Sequence, residues 1–208
     1  LHPRVRRQRQ MCIRDRATTN QDAQFYRTFP AEKITCIQGD SRYWQCSVPC
    51  HDQIYENKAQ VFKLCEQIEN DALPEELIPR CPHCGAEMEP WVRGYHFLQG
   101  DFYQKEMNRY LDFLKRHSSQ KTLFLELGVG MMTPMFIKEP FMNMVYQWPQ
   151  AFYVTMNPQH ALVPKEIAHK SLAVNEDIAI ALKQLLGKPV ENVKQADSSK
   201  IFNPSRVY

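Results

Sequence analysis

The chain has 208 residues, 43% of them hydrophobic and 24% charged, with 14 prolines, 7 glycines and a mean hydropathy of −0.52. This composition suits one medium-sized domain carrying a small inserted module. The longest apolar runs, 122–127 and 151–156, are strand-sized, and the basic start lacks the apolar stretch of a secretion signal, so the expectation is a cytoplasmic protein with no membrane partner.

The formal net charge of +3 is concentrated at the beginning. Residues 6–16, RRQRQMCIRDR, resemble the in-frame translation of a transposon-end sequencing adapter, the alternative being a natural basic arm of the nucleic-acid-binding kind. Residues 1–16 hold six arginines and one aspartate, so without them the charge becomes −2. The basic pI of 8.4 then gives no support for a nucleic-acid partner. We expect 1–16 to be an artefactual extension and Ala17 not to be the true beginning of the gene product.

From Ala17 the sequence alternates strands and helices with one interruption. A short helix is predicted over 21–28, ended by Pro30, and a β-branched strand over 33–37 stops at Gln38-Gly39-Asp40. Residues 41–94 depart from that rhythm and read as an inserted metal-binding module. Within it, 57–70 is amphipathic, with Val61, Leu64, Cys65 and Ile68 on one helical face. A core-facing helix follows over 101–117. Next come a strand over 122–127, the loop Gly128-Val129-Gly130, a helix over 133–146 and a strand over 152–156. A short strand over 171–174 leads into a helix over 176–186 with Asn175 as N-cap, and 187–208 is a polar tail. Strands and helices in this order predict an α/β fold with a parallel, Rossmann-like sheet formed by 17–40 and 95–186, with helices on both faces.

Cys46 and Cys50 in CSVPC and Cys81 and Cys84 in CPHC form two short hooks, a spacing that suits a tetrahedral, structural zinc site. The alternative is four unrelated buried or disulfide-bonded cysteines. His51 and His83 stand beside the hooks and could replace a ligand, although such neighbours more often support ligands than act as them. Cys12, Cys36 and Cys65 remain, an odd number that argues against a disulfide framework.

Ligands of parallel α/β sheets bind beyond the carboxyl ends of strands. There, Gly128 and Gly130 open the way for backbone N–H groups to approach a pyrophosphate, or make an ordinary tight turn. Asn157 could bond ribose hydroxyls or simply begin an Asn-Pro turn. Asn20, Asp22 and Gln38 end the first two segments.

The motifs Thr-Thr-Asn-Gln-Asp, Ile-Gln-Gly-Asp, the two Cys hooks, Met-Glu-Pro-Trp-Val-Arg, Gly-Val-Gly and Met-Asn follow one another in an order that resembles the silent-information-regulator family, the sirtuins, over 17–186. The resemblance implies that NAD is cleaved at a site holding Thr19, Asn20 and Asp22. It implies that Cys46, Cys50, Cys81 and Cys84 bind zinc, that Gly128, Val129 and Gly130 face the pyrophosphate, that Asn157 faces the adenosine ribose and that Ile178 lies near adenine. Gln38 stands where the family has its catalytic histidine. An amide cannot act as a general base, a loss that typically costs ~10²–10⁴-fold in rate, whereas nicotinamide cleavage needs mainly positioning and a nearby negative charge.

This exchange is similar to the class M sirtuins, encoded beside macrodomain proteins in bacteria and fungi, and implies ADP-ribosylation of a lipoylated, glycine-cleavage H-like carrier. Two alternatives stay open: an NAD-dependent deacylase using His96 or a water as base, and a non-catalytic NAD or ADP-ribose sensor. Thr19 and Gly94-Tyr95-His96 depart from the family pattern, and the family's first strand, with its glycine-rich adenosine cradle, has no counterpart here. We therefore expect the chain to be the C-terminal portion of a longer enzyme, with an exposed sheet edge, weak stability and little activity on its own.

Overall fold

The computed structural model describes residues 15–189; the expectations for 1–14 and for the tail from 190 onward lie outside the described residues. The fold is mixed α/β. Strand β1 (Arg16–Thr18) runs parallel to β2 (Ile34–Cys36), with Thr18 opposite Cys36, and all three residues of β2 are buried. Arg16, the last residue of the adapter-like segment, is thus part of a strand, and its guanidinium lies 3.4 Å from the centroid of the Phe29 ring. No helix spans 21–28. Ala23 adopts a left-handed conformation (φ 58°) after the strand, leaving only a 3-10 turn over Gln24–Arg27.

The inserted region is built on a second, antiparallel sheet. Strand β3 (Gly39–Cys46) is flanked by β4 (Tyr55–Glu56) and β5 (Met88–Val92). Its core is aromatic: Trp91, 2% exposed, stacks on Phe97 at 5.3 Å and meets Phe102 and Tyr43 edge-on. Gly39 is required where β3 meets β5. At φ +84° a Cβ there would lie 2.1 Å from the Trp91 carbonyl oxygen, a distance no side chain tolerates. The amphipathic segment forms only the short helix α1 (Lys58–Cys65) and buries none of its residues; Val61 and Leu64 are half-buried, Cys65 is exposed and Ile68 lies beyond the helix.

Helix α2 (Asp101–His117) begins at Gly100, where the Asp52 carboxylate accepts the Asp101 N–H at 2.8 Å, and its last turn carries Lys115 and Arg116, cations suited to a helix C-terminus. Arg109 on α2 donates to the Ile34 carbonyl and so anchors the helix to β2. The third sheet is parallel, with β6 (Thr122–Leu127), β7 (Ala151–Met156) and β8 (Ser171–Val174) in that order.

One face of this sheet is covered. Phe124 and Tyr153 pack with Val145 of α3 (Lys138–Gln147) and with Ile167, and Leu114 of α2 and Trp148 close the cluster. The opposite face carries Leu123, Leu125 and Leu127, which are 60%, 43% and 42% exposed, in the alternation that a period-2 strand imposes. The single predicted sheet is therefore two parallel sheets, because no strand among the described residues hydrogen-bonds to both β1 and β6.

Two boundaries need correction. The helix expected over 133–146 is a 3-10 turn (Pro134–Phe136) followed by α3, the break falling at Ile137 (φ −132°, ψ −57°). The last helix, α4 (Ile178–Leu185), is capped by Asp177 rather than Asn175. The Asp177 carboxylate accepts the N–H groups of Ala179 and Ile180 at 2.9 and 3.1 Å.

Candidate functional site

The two Cys hooks converge. The four sulfur atoms of Cys46, Cys50, Cys81 and Cys84 lie within 4.8 Å of one another, with Cys46–Cys84 at 3.5 Å and Cys50–Cys81 at 3.7 Å. A tetrahedron with metal–sulfur bonds of about 2.3 Å has sulfur–sulfur edges of about 3.8 Å. The group therefore fits a four-thiolate metal ion and is not a pair of disulfides.

Cys46 arrives on the end of β3, and Cys81 and Cys84 sit in a tight turn closed by the Gly85 N–H on the Cys81 carbonyl at 2.9 Å. Burial opposes charge at Cys81, but backbone N–H groups of Cys84 and His83, together with the other thiols, bring it down to about 7. His51 stands beside the hooks, its Nδ1 3.0 Å from the Cys50 sulfur and its Nε2 2.9 Å from the Tyr55 hydroxyl, and it stacks on His83 at 4.1 Å.

A second site forms where the strands end. The Ile37 N–H donates to the Thr18 carbonyl at 2.9 Å, and the Ser41 N–H and hydroxyl both reach the Gln21 carbonyl. These bonds place the turn carrying Thr19, Asn20 and Asp22 beside Gln38. Thr18 accepts the Asn20 N–H at 3.0 Å and the Asp22 carboxylate accepts that of Gln24 at 3.2 Å, so both turns are fixed by local side-chain bonds while the Asn20 and Asp22 side chains are exposed. Gln38 is half-buried and donates to the Thr133 hydroxyl at 3.4 Å, which directs it toward the loop that follows β6.

That loop is Gly128-Val129-Gly130. Gly128 has φ +70°, and a Cβ there would come within 3.2 Å of the Ile178 Cδ1; around Gly130 a Cβ would meet nothing within 4 Å. Asn157 is 7% exposed and bonded at both ends of its amide. Its amide nitrogen donates to the Val129 carbonyl at 3.2 Å, and its oxygen accepts the N–H groups of Gln159 and His160 at 2.9 and 3.0 Å. In this arrangement Asn157 holds the glycine loop against the turn after β7.

Two residues with no role assigned from sequence enter the site. Arg93 donates its backbone N–H to the Gln38 carbonyl at 2.9 Å, and its guanidinium donates to the Ile37 carbonyl and the Tyr103 hydroxyl at 3.2 and 3.0 Å. Its Nε is buried without a partner among the described residues. Thr133 supplies the contact to Gln38. In the sequence Arg93 is marked only as the last residue of the Met-Glu-Pro-Trp-Val-Arg motif, two positions after Trp91, and Thr133 carries no signal. His96 lines an open groove with Gln21, Ser41, Glu89 and Tyr95, and no hydrogen bond among the described residues joins its side chain to Gln38.

No family model matches the chain. Over 172 residues it is 34% identical to a Staphylococcus aureus protein named "Protein ADP-ribosyltransferase", an alignment covering 81% of this chain and 55% of that protein. Over 181 residues it is 29% identical to a Fusarium oxysporum protein named "Probable bifunctional ADP-ribose hydrolase/ADP-ribosyltransferase", covering 81% of this chain and 30% of that protein. The chain thus spans about half the length of the first relative and under a third of the second, and its similarity is to proteins named for ADP-ribose transfer.

Proposed function

We propose that this chain is part of a sirtuin-type, NAD-dependent protein ADP-ribosyltransferase of the class M kind, with a Rossmann-like nucleotide-binding part and a structural zinc. The observation that carries the proposal is Gln38, a half-buried side chain unable to take a proton, which follows β2 and donates to Thr133 in the segment after the Gly128–Gly130 loop. The names of the two relatives support the same activity.

In this reading the backbone N–H groups of Gly128–Gly130 take the pyrophosphate of NAD, with Ile178 packed against the loop toward adenine. Asn20 and Asp22 orient the nicotinamide ribose, and the Asp22 carboxylate stabilises positive charge as it develops on the ribose. The bond from ribose C1′ to the nicotinamide nitrogen breaks with its electron pair leaving on nicotinamide. A nucleophile of the acceptor protein then bonds to C1′ and releases its proton to water. Gln38 orients a ribose hydroxyl without deprotonating it, which disfavours the hydroxyl attack needed for deacylation.

The zinc, bound by the four thiolates, fixes the ends of β3 and the 81–85 turn and takes no part in the reaction. By resemblance, the acceptor is a protein, a lipoylated carrier foremost, and a macrodomain protein acts in the same pathway. Labelled NAD given to the gene product that contains this chain, together with a lipoylated carrier, tests the proposal. Label on the carrier is expected, and label on an acyl group released from a lysine peptide would replace the proposal with a deacylase.

A further inference from the structure

The covered side of the parallel sheet contains a buried charge pair that none of the roles above uses. Glu126 on β6 and Lys138, the first residue of α3, lie 2.5 Å apart with side chains 0% and 3% exposed. Both charged groups have further hydrogen-bond partners. Glu126 also accepts the Thr155 hydroxyl at 2.9 Å and the Tyr153 hydroxyl, both from β7, and Lys138 donates additionally to the His160 carbonyl at 3.1 Å. Burial and the neighbouring carboxylate push the Tyr153 phenol well above its ordinary range, so it stays a donor.

An ion pair in this position is a costly way to fill a core, since apolar residues of similar volume commonly serve stability as well. Its placement explains what it does. Glu126 precedes Gly128 by two residues, Lys138 opens the helix after the glycine loop, and His160 closes the turn that Asn157 begins. Asn157 ties that turn to Val129, and Lys138, bonded to Glu126 of β6, donates to the turn's His160 carbonyl.

We propose that Lys138 and Glu126 are positioning residues that lock the Gly128–Gly130 loop and the 157–160 turn into one rigid crevice wall for the nucleotide. The nucleotide part of this statement rests on the function proposed above; the rigidity does not. Hydrogen exchange of the unmodified chain comes first. The amides of Gly128, Gln159 and His160 are expected to be protected to within tenfold of Tyr153 in the core strand, and exchange as fast as an open loop would overturn the proposal.

The double variant Glu126→Gln/Lys138→Met then removes both charges while the glutamine Oε1 still accepts from one of the Tyr153 and Thr155 hydroxyls and its amide nitrogen donates to the other. Exchange at Gln159 and His160 should rise at least tenfold with Tyr153 unchanged; unaltered exchange at all three would refute the lock. In the gene product, the same variant should raise the KM for NAD at least tenfold with kcat within threefold, and an equal loss in kcat at constant KM would contradict the assigned role. If the unmodified protein turns over no NAD, the proposed function fails while the exchange measurements still decide the lock.

Discussion

Gln38 donates its amide nitrogen to the hydroxyl of Thr133 at 3.4 Å, joining the end of β2 to the turn before α3 across 95 residues of sequence. The bond turns the amide of the half-buried side chain toward the segment that follows the glycine loop. A histidine at 38 would present a basic nitrogen in the same corner. Gln38→His is therefore expected to bring deacylation of an acyl-lysine peptide above background in the gene product, and Gln38→Ala to lower nicotinamide release by about 10-fold through lost positioning. Both are read by chromatography of nicotinamide and peptide products.

The two loop glycines should separate stability from binding. Gly128→Ala places a Cβ at φ +70° and 3.2 Å from Ile178, and is expected to cost about 1–2 kcal/mol in denaturant unfolding. Gly130→Ala has open space around its Cβ and should leave unfolding unchanged. If a pyrophosphate approaches that backbone closely, the same methyl should weaken NAD binding about tenfold or more by calorimetry.

Cys36 should be silent to thiol reagents at neutral pH. Burial, above all, together with Asp40 raises its thiol to about 11 against an ordinary value near 9, and it is 7% exposed. Iodoacetamide at pH 8 is expected to modify Cys65, exposed on α1, well before Cys36, as peptide mass mapping would show. The sign for stability follows from the same shift. The unfolded thiol ionises first, so Cys36 adds no pH dependence below about pH 9 and costs stability as pH rises from 9 toward 11.

Metal removal should act on the β3–β5 region. Four thiolates around one ion contribute folding energy directly, ~10–16 kcal/mol in small zinc-binding peptides. Chelation, or Cys81→Ser, is expected to abolish stoichiometric zinc in elemental analysis and to lower the thermal midpoint. An unchanged midpoint in zinc-free protein would remove the structural role assigned to the cluster.

Much of this fold was legible because burial and periodicity agreed. The strands at 122–127 and 171–174 and the helix at 101–117 occupy the predicted residues, the helix being long and the first strand alternating in burial. Strand β1 was missed because three residues carry no periodicity and are strand only through pairing with β2, 18 positions further along the chain at Arg16 and Ile34. The cap at Asp177 prevailed over Asn175 because its carboxylate reaches two helix N–H groups, a matter of where the turn ends rather than of residue type. The cysteine cluster was visible from spacing alone. The Glu126–Lys138 pair was not, since a charged residue in a strand and another 12 positions later read as solvent-facing until tertiary packing encloses both.

The uncovered face of β6 bears on stability. Leu123, Leu125 and Leu127 leave apolar surface in water on a parallel sheet, a type normally covered on both sides. Residues 1–208 alone are expected to unfold at low denaturant with binding of a hydrophobic dye before the transition. A cooperative, high-temperature transition without dye binding would contradict this.

The most direct test of the central claim is mass spectrometry of a lipoylated carrier protein after incubation with NAD and the gene product containing this chain, with nicotinamide measured in parallel. The account predicts one ADP-ribose added per carrier, matched by one nicotinamide released and abolished by Asp22→Ala. Nicotinamide release without any modified carrier or other protein acceptor, or an acylated ADP-ribose product instead, would contradict it.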